Sequence, residues 1–182
     1  MSIKKANFVV KNKNLVFVDS KAVIGENVII YENTRIDGHC IIGDNVTIFP
    51  NSHVINSVIG KGTKIYSSFI ENSEVGACCS VGAFSCIKGG TKISSFVRMG
   101  SGVVIKNSEI ANHSEIGHNS TICGTKLGQG TKVSAGVVFA GPCDKSKPKI
   151  DIDEKCVIGA NSCISSLNRI KRETVIAPGT TI

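Results

Sequence analysis

The chain of 182 residues contains no tryptophan, and aromatic residues make up only 5% of it. That excludes a core assembled around large rings. No apolar stretch approaches the roughly 18 residues that a membrane-spanning helix needs. The first ten residues carry Lys4 and Lys5 but neither a long apolar run nor a small-residue cleavage site, which argues against a secretory leader. No membrane association is therefore expected, and the expected compartment is cytoplasmic. Eight cysteines are present without a single Cys-x-x-Cys pair, so neither a zinc framework nor a dithiol redox motif is signalled. Basic residues outnumber acidic ones, for a net charge of +7. They are not interleaved with aromatics, so nucleic acid is not an expected partner. A basic face suits a small phosphate-rich ligand.

What the chain has in quantity is branched aliphatic residues spaced six apart. Ile24, Ile30, Ile36, Ile42, Ile48 and Val54 form one run. Ile152, Ile158, Ile164, Ile170, Ile176 and Ile182 form another, with Val81, Ile87, Ile93, Met99 and Ile105 between them. A period of six matches neither a helix nor one face of a strand. It matches a solenoid in which each hexad is one side of a three-sided coil of about 18 residues. Two residues before each aliphatic stands something small or β-branched, such as Ala22, Thr34, Cys40 and Ser52. These should also point inward, near corners with little room. Glycine often follows the aliphatic, at a step where the chain must turn.

The phase predicts that Cys40, Cys79 and Cys156 point inward as compact hydrophobes, and that Cys86 and Cys163 point outward. All eight cysteines are read as structural or incidental thiols. Five-residue steps at Val54 to Ile59, Ile65 to Ile70 to Val75, Ile105 to Ile110 and Ile122 to Leu127 should each tighten one corner. Residues 1–16 are expected to be a lead-in, and residues 17–182 the repeat body. The body has one irregular loop at 140–151, carrying two prolines and Lys145, Lys147 and Lys149.

This hexad pattern resembles that of the left-handed parallel β-helix acyltransferases. Handedness is implied by the resemblance, not by the spacing. Within that family the chain is similar, from about Ala6 to Ile182, to the C-terminal acetyltransferase domain of the bacterial enzymes that make UDP-N-acetylglucosamine. The specific stretches are Val75–Phe84, Ile110–His118, Cys156–Ala160 and Val175–Thr180. The nucleotidyltransferase domain that precedes this domain in the family has no counterpart in the chain.

The resemblance implies acetyl transfer from acetyl-CoA to an amino-sugar phosphate at clefts of a homotrimer of roughly nine-coil subunits. It places the general base on His118, whose imidazole is suited to accept a proton near neutral pH. It places anion-binding lysines on Lys106 and Lys147, and the coenzyme channel on Ala135, Ala160 and Pro178. Several positions depart from the family's set. Lys88 stands where it has a phosphate-binding arginine and loses the bidentate fork. Thr121 replaces a sugar-contacting tyrosine, Lys132 an asparagine and Ala160 a serine. Gly141–Asp144 replaces an Asn-Tyr-Asp-Gly signature. These departures leave two readings open: a coenzyme-A-dependent acyltransferase on an amino-sugar, or a non-catalytic trimeric scaffold or regulatory relative of UDP-N-acetylglucosamine pyrophosphorylase serving a separate nucleotidyltransferase. No metal is expected. A three-histidine zinc site would need histidines where Cys123 and Gly82 stand. His39, His53 and His113 are read as surface residues.

Overall fold

Ile30, Ile36 and Ile42 lie in three successive strands, Ile29–Ile30, Thr34–Asp37 and Ile41–Ile42, and each strand belongs to a different sheet. The next three hexads repeat the cycle. In the computed structural model, which describes residues 9–144, 149–165, 167 and 169–182, this continues along the whole chain. Three parallel sheets of ten, nine and eight short strands form the three faces of a β-solenoid of about nine coils. We call them the first, second and third faces, in the order of the hexads above. The stacking starts with Val9–Val10, which pairs with Ile29–Ile30.

The aliphatics at hexad spacing fill the interior. Ile30, Ile36, Ile70, Ile87, Ile105 and Ile122 have no exposed surface at all. Such residues stack on their register partners, as Ile87 on Ile105 and Ile105 on Ile122. The small inward column behaves as its chemistry requires. Buried hydroxyls turn to carbonyls, for example Ser108 Oγ to Lys106 O at 2.9 Å and Ser120 Oγ to Ser134 O at 3.1 Å. Among the described residues no buried side-chain nitrogen or oxygen lacks a partner, so the narrow core carries these polar groups without an unmet desolvation cost.

The five-residue steps have one main address. Four of the five turn the chain from the second face to the third, at Asn56, Asn72, Asn107 and Gly124. Each turns in the left-handed region, where asparagine and glycine are the residues that adopt it most readily. The loop after Ala140 leaves from this same corner. Phe139 holds an inward position and is fully buried just before it. The chain returns at Ile150–Ile152, paired with Thr125–Leu127. Here both Ile150 and Ile152 are buried, so isoleucine stands where Thr125 stands one coil earlier.

The cysteine reading holds at the five positions that the phase assigns. Cys40, Cys79 and Cys156 are buried, and burial pushes all three thiols up. Cys86 and Cys163 lie on the outer side of the second face, partly exposed. It fails at Cys123 and Cys143. These are bonded to each other, with Cα atoms 5.8 Å apart. Cys123 points outward from the strand Thr121–Cys123, and the chain emerging at Gly141 passes back over it, which brings Cys143 within reach. They are a cross-link, not incidental thiols.

Core truncation separates the two sides of one strand. Ile105→Ala, in the middle of the stack, should cost roughly 2–5 kcal/mol through lost burial and an unfilled cavity. Val104→Ala, on the outward side of the same strand, should stay within about 0.5–1 kcal/mol. Urea unfolding of both variants checks this.

Candidate functional site

His118 lies on the corner between the first and second faces, between the strands Glu115–Ile116 and Thr121–Cys123. It is exposed, yet its ring is held. Nδ1 accepts a hydrogen bond from the Ser101 backbone N–H at 2.8 Å. The ring lies so close over Gly100 that a Cβ there would sit 2.8 Å from it. The bond has equivalents elsewhere in the solenoid. Asp44 accepts from Glu26 N–H at 2.8 Å, and Asn112 from Ser95 N–H at 2.9 Å, each reaching one coil back. His118 therefore fills a position that elsewhere holds a polar acceptor capping the previous coil. With Nδ1 accepting, the neutral ring carries its proton on Nε2 and offers a donor outward. To accept a proton from an amine, the ring must give up the Ser101 bond and turn.

Ala135, Ala160 and Pro178 follow His118 along the same edge, one coil apart. Gly136 N–H donates to His118 O at 2.9 Å, Asn161 N–H to Ala135 O at 3.0 Å, and Gly179 N–H to Ala160 O at 2.8 Å. From His118 to Pro178 this row of residues spans about 14 Å at a coil spacing near 4.8 Å.

Lys88 and Lys106 are register partners on the outer side of the second face. Neither has an ion pair among the described residues. The Lys106 stem crosses Gly89, whose φ is +74°. Two adjacent ammonium groups without carboxylates repel each other, and a bound anion would relieve that. Thr121 shares this face, where it pairs with Val104 and Val138. Lys132 does not. It projects from the first face, in register with Glu115 and Val157. Lys147 falls outside the described residues. The structure thus brings Lys88, Lys106 and Thr121 onto one face, with His118, Ala135, Ala160 and Pro178 along the edge bounding it.

The loop is anchored where it is described. Asn107 Nδ2 donates to Pro142 O at 3.3 Å, and Lys149 Nζ pairs with Glu109 Oε1 at 2.7 Å. The Lys149 ammonium holds the Glu109 carboxyl below its usual range. The sequence reading did not single out the groove beside this pair. On the third face Lys92, Glu109, Lys126, Asp151 and Asp153 line a depression of about 390 Å³. Its signal was the charge at outward positions of successive third-face hexads, which hexad phasing of the aliphatics passes over.

The bacterial transferase hexapeptide (six repeats) pattern matches residues 21–56. The bifunctional protein GlmU of Carboxydothermus hydrogenoformans is 32% identical over 167 residues, covering 92% of this chain and 37% of that protein. GlmU of Clostridium botulinum strain Kyoto is 33% identical over 166 residues, covering 91% and 36%. The chain thus spans little more than a third of the length of these relatives. Among solved structures, LpxA, a UDP-N-acetylglucosamine acyltransferase from Bacteroides fragilis, superposes with a TM-score of 0.58 at 19% identity. That match covers 90% of this chain and 70% of the other, and supports the β-solenoid architecture.

The capping bond predicts a split between substitutions at His118. Asparagine, which caps elsewhere in this solenoid, should leave the unfolding midpoint within about 1 °C of wild type. Alanine, which strands the Ser101 N–H, should lower stability by about 1 kcal/mol. Thermal unfolding of H118N and H118A reads the difference. A second prediction concerns acid. Glu109 is depressed, so its contribution is full above the ordinary glutamate value and is lost as pH falls through the depressed one. Glu109→Gln should therefore lose stability relative to wild type at pH 7 and close that gap below pH 4 or so, as denaturant midpoints across pH would show.

Proposed function

Since the chain belongs to the hexapeptide-repeat transferase family, we propose that it moves an acyl group, most simply acetyl, from acyl-CoA to the amine of a small anionic amino-sugar. The observation that carries this reading is the pair Lys88 and Lys106. Two adjacent, unpaired lysines on one face form a seat for a phosphate-bearing acceptor, with His118 at the bounding edge. The small residues Ala135, Ala160 and Pro178 leave room along that edge for the pantetheine arm, which would bring the thioester to His118.

In this scheme His118 takes the proton of the acceptor ammonium. The freed amine attacks the thioester carbonyl, the acyl group passes from sulfur to nitrogen, and coenzyme A leaves as the thiol. The ring must first release Ser101 N–H, so the bound acceptor's ammonium competes with a backbone donor for the ring. Thr121, at the start of the strand behind His118, is placed to hydrogen-bond a sugar hydroxyl. Lys147 is proposed as a further anion-binding lysine from the family resemblance alone, and Lys132, on the first face, lies away from the Lys88–Lys106 pair. We further propose a homotrimer, in which a neighbouring copy closes the open side of each seat, and a cytoplasmic location, where acyl-CoA is available.

A second reading is a non-catalytic trimeric scaffold or regulatory subunit, working with a separate nucleotidyltransferase. The capping bond of His118 favours it, because that bond alone accounts for a polar acceptor at this position.

Release of coenzyme A thiol from acetyl-CoA, measured over a panel of amino-sugars and their phosphates, separates the two readings. The enzyme reading expects turnover with a phosphorylated amine. It expects a roughly 10²–10⁴-fold drop in kcat for H118N, the size of effect general bases show, with unfolding unchanged. It also expects a raised KM for K88Q and K106Q. Equal rates for H118N and wild type would remove His118 from the chemistry. Absence of turnover with every acceptor, together with no thermal shift from coenzyme A, would leave the scaffold.

A further inference from the structure

We propose that Cys123 and Cys143 form a reversible redox-modification site. Its reactant is a small-molecule thiol–disulfide couple of the glutathione class, and its disulfide ties the segment Gly141–Asp144 to the corner beside Lys106. The effect on acceptor binding rests on the function proposed above, whereas the redox site itself does not.

The eight cysteines sort by environment. Cys40, Cys79 and Cys156 are walled into the core, and burial raises their thiols away from the reactive thiolate. Cys143 is exposed and Cys123 partly so, which leaves their bond open to an attacking thiol. Their Cα separation of 5.8 Å lies in the ordinary disulfide range, so the backbone needs no movement to form the bond. Cys123 is also the register partner of Lys106, itself the partner of Lys88. One sulfur therefore ends the lysine column, and an adjacent ammonium favours the thiolate that reduction releases.

The bond has mechanical leverage. Residues Gly141–Asp144 belong to no strand. The Asn107 to Pro142 hydrogen bond and close packing of Gly141 and Pro142 against Gly124, a glycine with φ +53°, lie beside the disulfide at this corner. The disulfide closes a 20-residue separation and so restricts the conformations open to this segment. Breaking it removes the covalent tie between this segment and the strand Thr121–Cys123.

The exchange balances. A thiolate of the small thiol attacks Cys143 Sγ, the protein disulfide breaks, and Cys123 departs as a thiolate that takes a proton. A second small thiol attacks the mixed disulfide, which frees Cys143 as a thiol and releases the small-molecule disulfide. Two electrons and two protons pass to the protein.

The test uses the full chain equilibrated with reduced or oxidised glutathione, then differential alkylation with mass spectrometry and hydrogen exchange. In oxidised glutathione Cys123 and Cys143 should escape alkylation together. In reduced glutathione both should be labelled, and amides in 141–144 should exchange at least roughly tenfold faster, a rise that C143S should show in either buffer. Alkylation of both cysteines after oxidised glutathione would overturn the proposal, as would equal exchange of 141–144 in the two states. Acceptor KM should differ several-fold between the states in wild type and not in C143S. Equal KM with a mobilised segment would overturn the link to the lysine pair. Absence of any turnover would count against the acyltransferase reading alone, because labelling and exchange still decide the redox site.

Discussion

Everything in this solenoid follows from how closely successive coils approach. Each strand donates its backbone N–H groups to carbonyls one coil on, as Thr121 N–H to Val137 O at 2.9 Å. That fixes a coil spacing near 4.8 Å from one end to the other. The corners must keep the same spacing with no side chain in the way. A Cβ on Gly117 would lie 2.5 Å from Ala135 N, and one on Gly76 would lie 2.6 Å from the Ser94 carbonyl carbon. Interior positions are restricted for the same reason, since only branched aliphatics and small hydroxyl or thiol residues fill a narrow prism at native density.

The same spacing dictates what the outer surface can do. Outward side chains stack in columns, so each residue's neighbours are those one coil before and after. On the third face the column alternates in sign. Glu74, Lys92, Glu109 and Lys126 follow in register, with Lys92 3.5 Å from Glu74. Such an arrangement neutralises itself. On the second face Lys88 stacks on Lys106, and then on a cysteine. Two like charges stand together there, at the second-to-third corner beside the loop.

The architecture was legible because its cause is periodic. Ile36, Val54, Ile70, Ile87, Ile105 and Ile122 declare their inward position by spacing, and the cysteines on that phase, Cys40, Cys79 and Cys156, could be placed from it. The five-residue steps were legible as tightened corners, but not as features of one edge, since that requires knowing which hexad faces which way. The Cys123–Cys143 bond was not legible. Cys143 stands where the period is lost, and nothing local says that chain leaving Ala140 doubles back over the outward side of Cys123. The groove on the third face was missed for a related reason, as its charged residues lie off the aliphatic phase. Of the candidate site, Lys88, Lys106 and Thr121 do share a face, and the edge residues line up from His118 to Pro178. Lys132 stands on another face. The capping bond of His118 was invisible in sequence, because it depends on Gly100 bringing Ser101 beneath the ring.

That bond gives His118 a structural role of its own. The solenoid needs an acceptor at certain corners, and Asp44, Asn112 and His118 all supply one. Aspartate and asparagine meet that need and nothing more. Histidine meets it with one nitrogen and presents an N–H donor to solvent with the other, so it could take up a proton only after releasing that bond. The irregular second-to-third corner makes the complementary case. It carries four of the five shortened steps, the loop and the cross-link, whereas one shortened step, Ile65 to Ile70, falls on the first-to-second edge. Gathering most irregular steps at one corner is a division that closely stacked coils allow at little cost to the core.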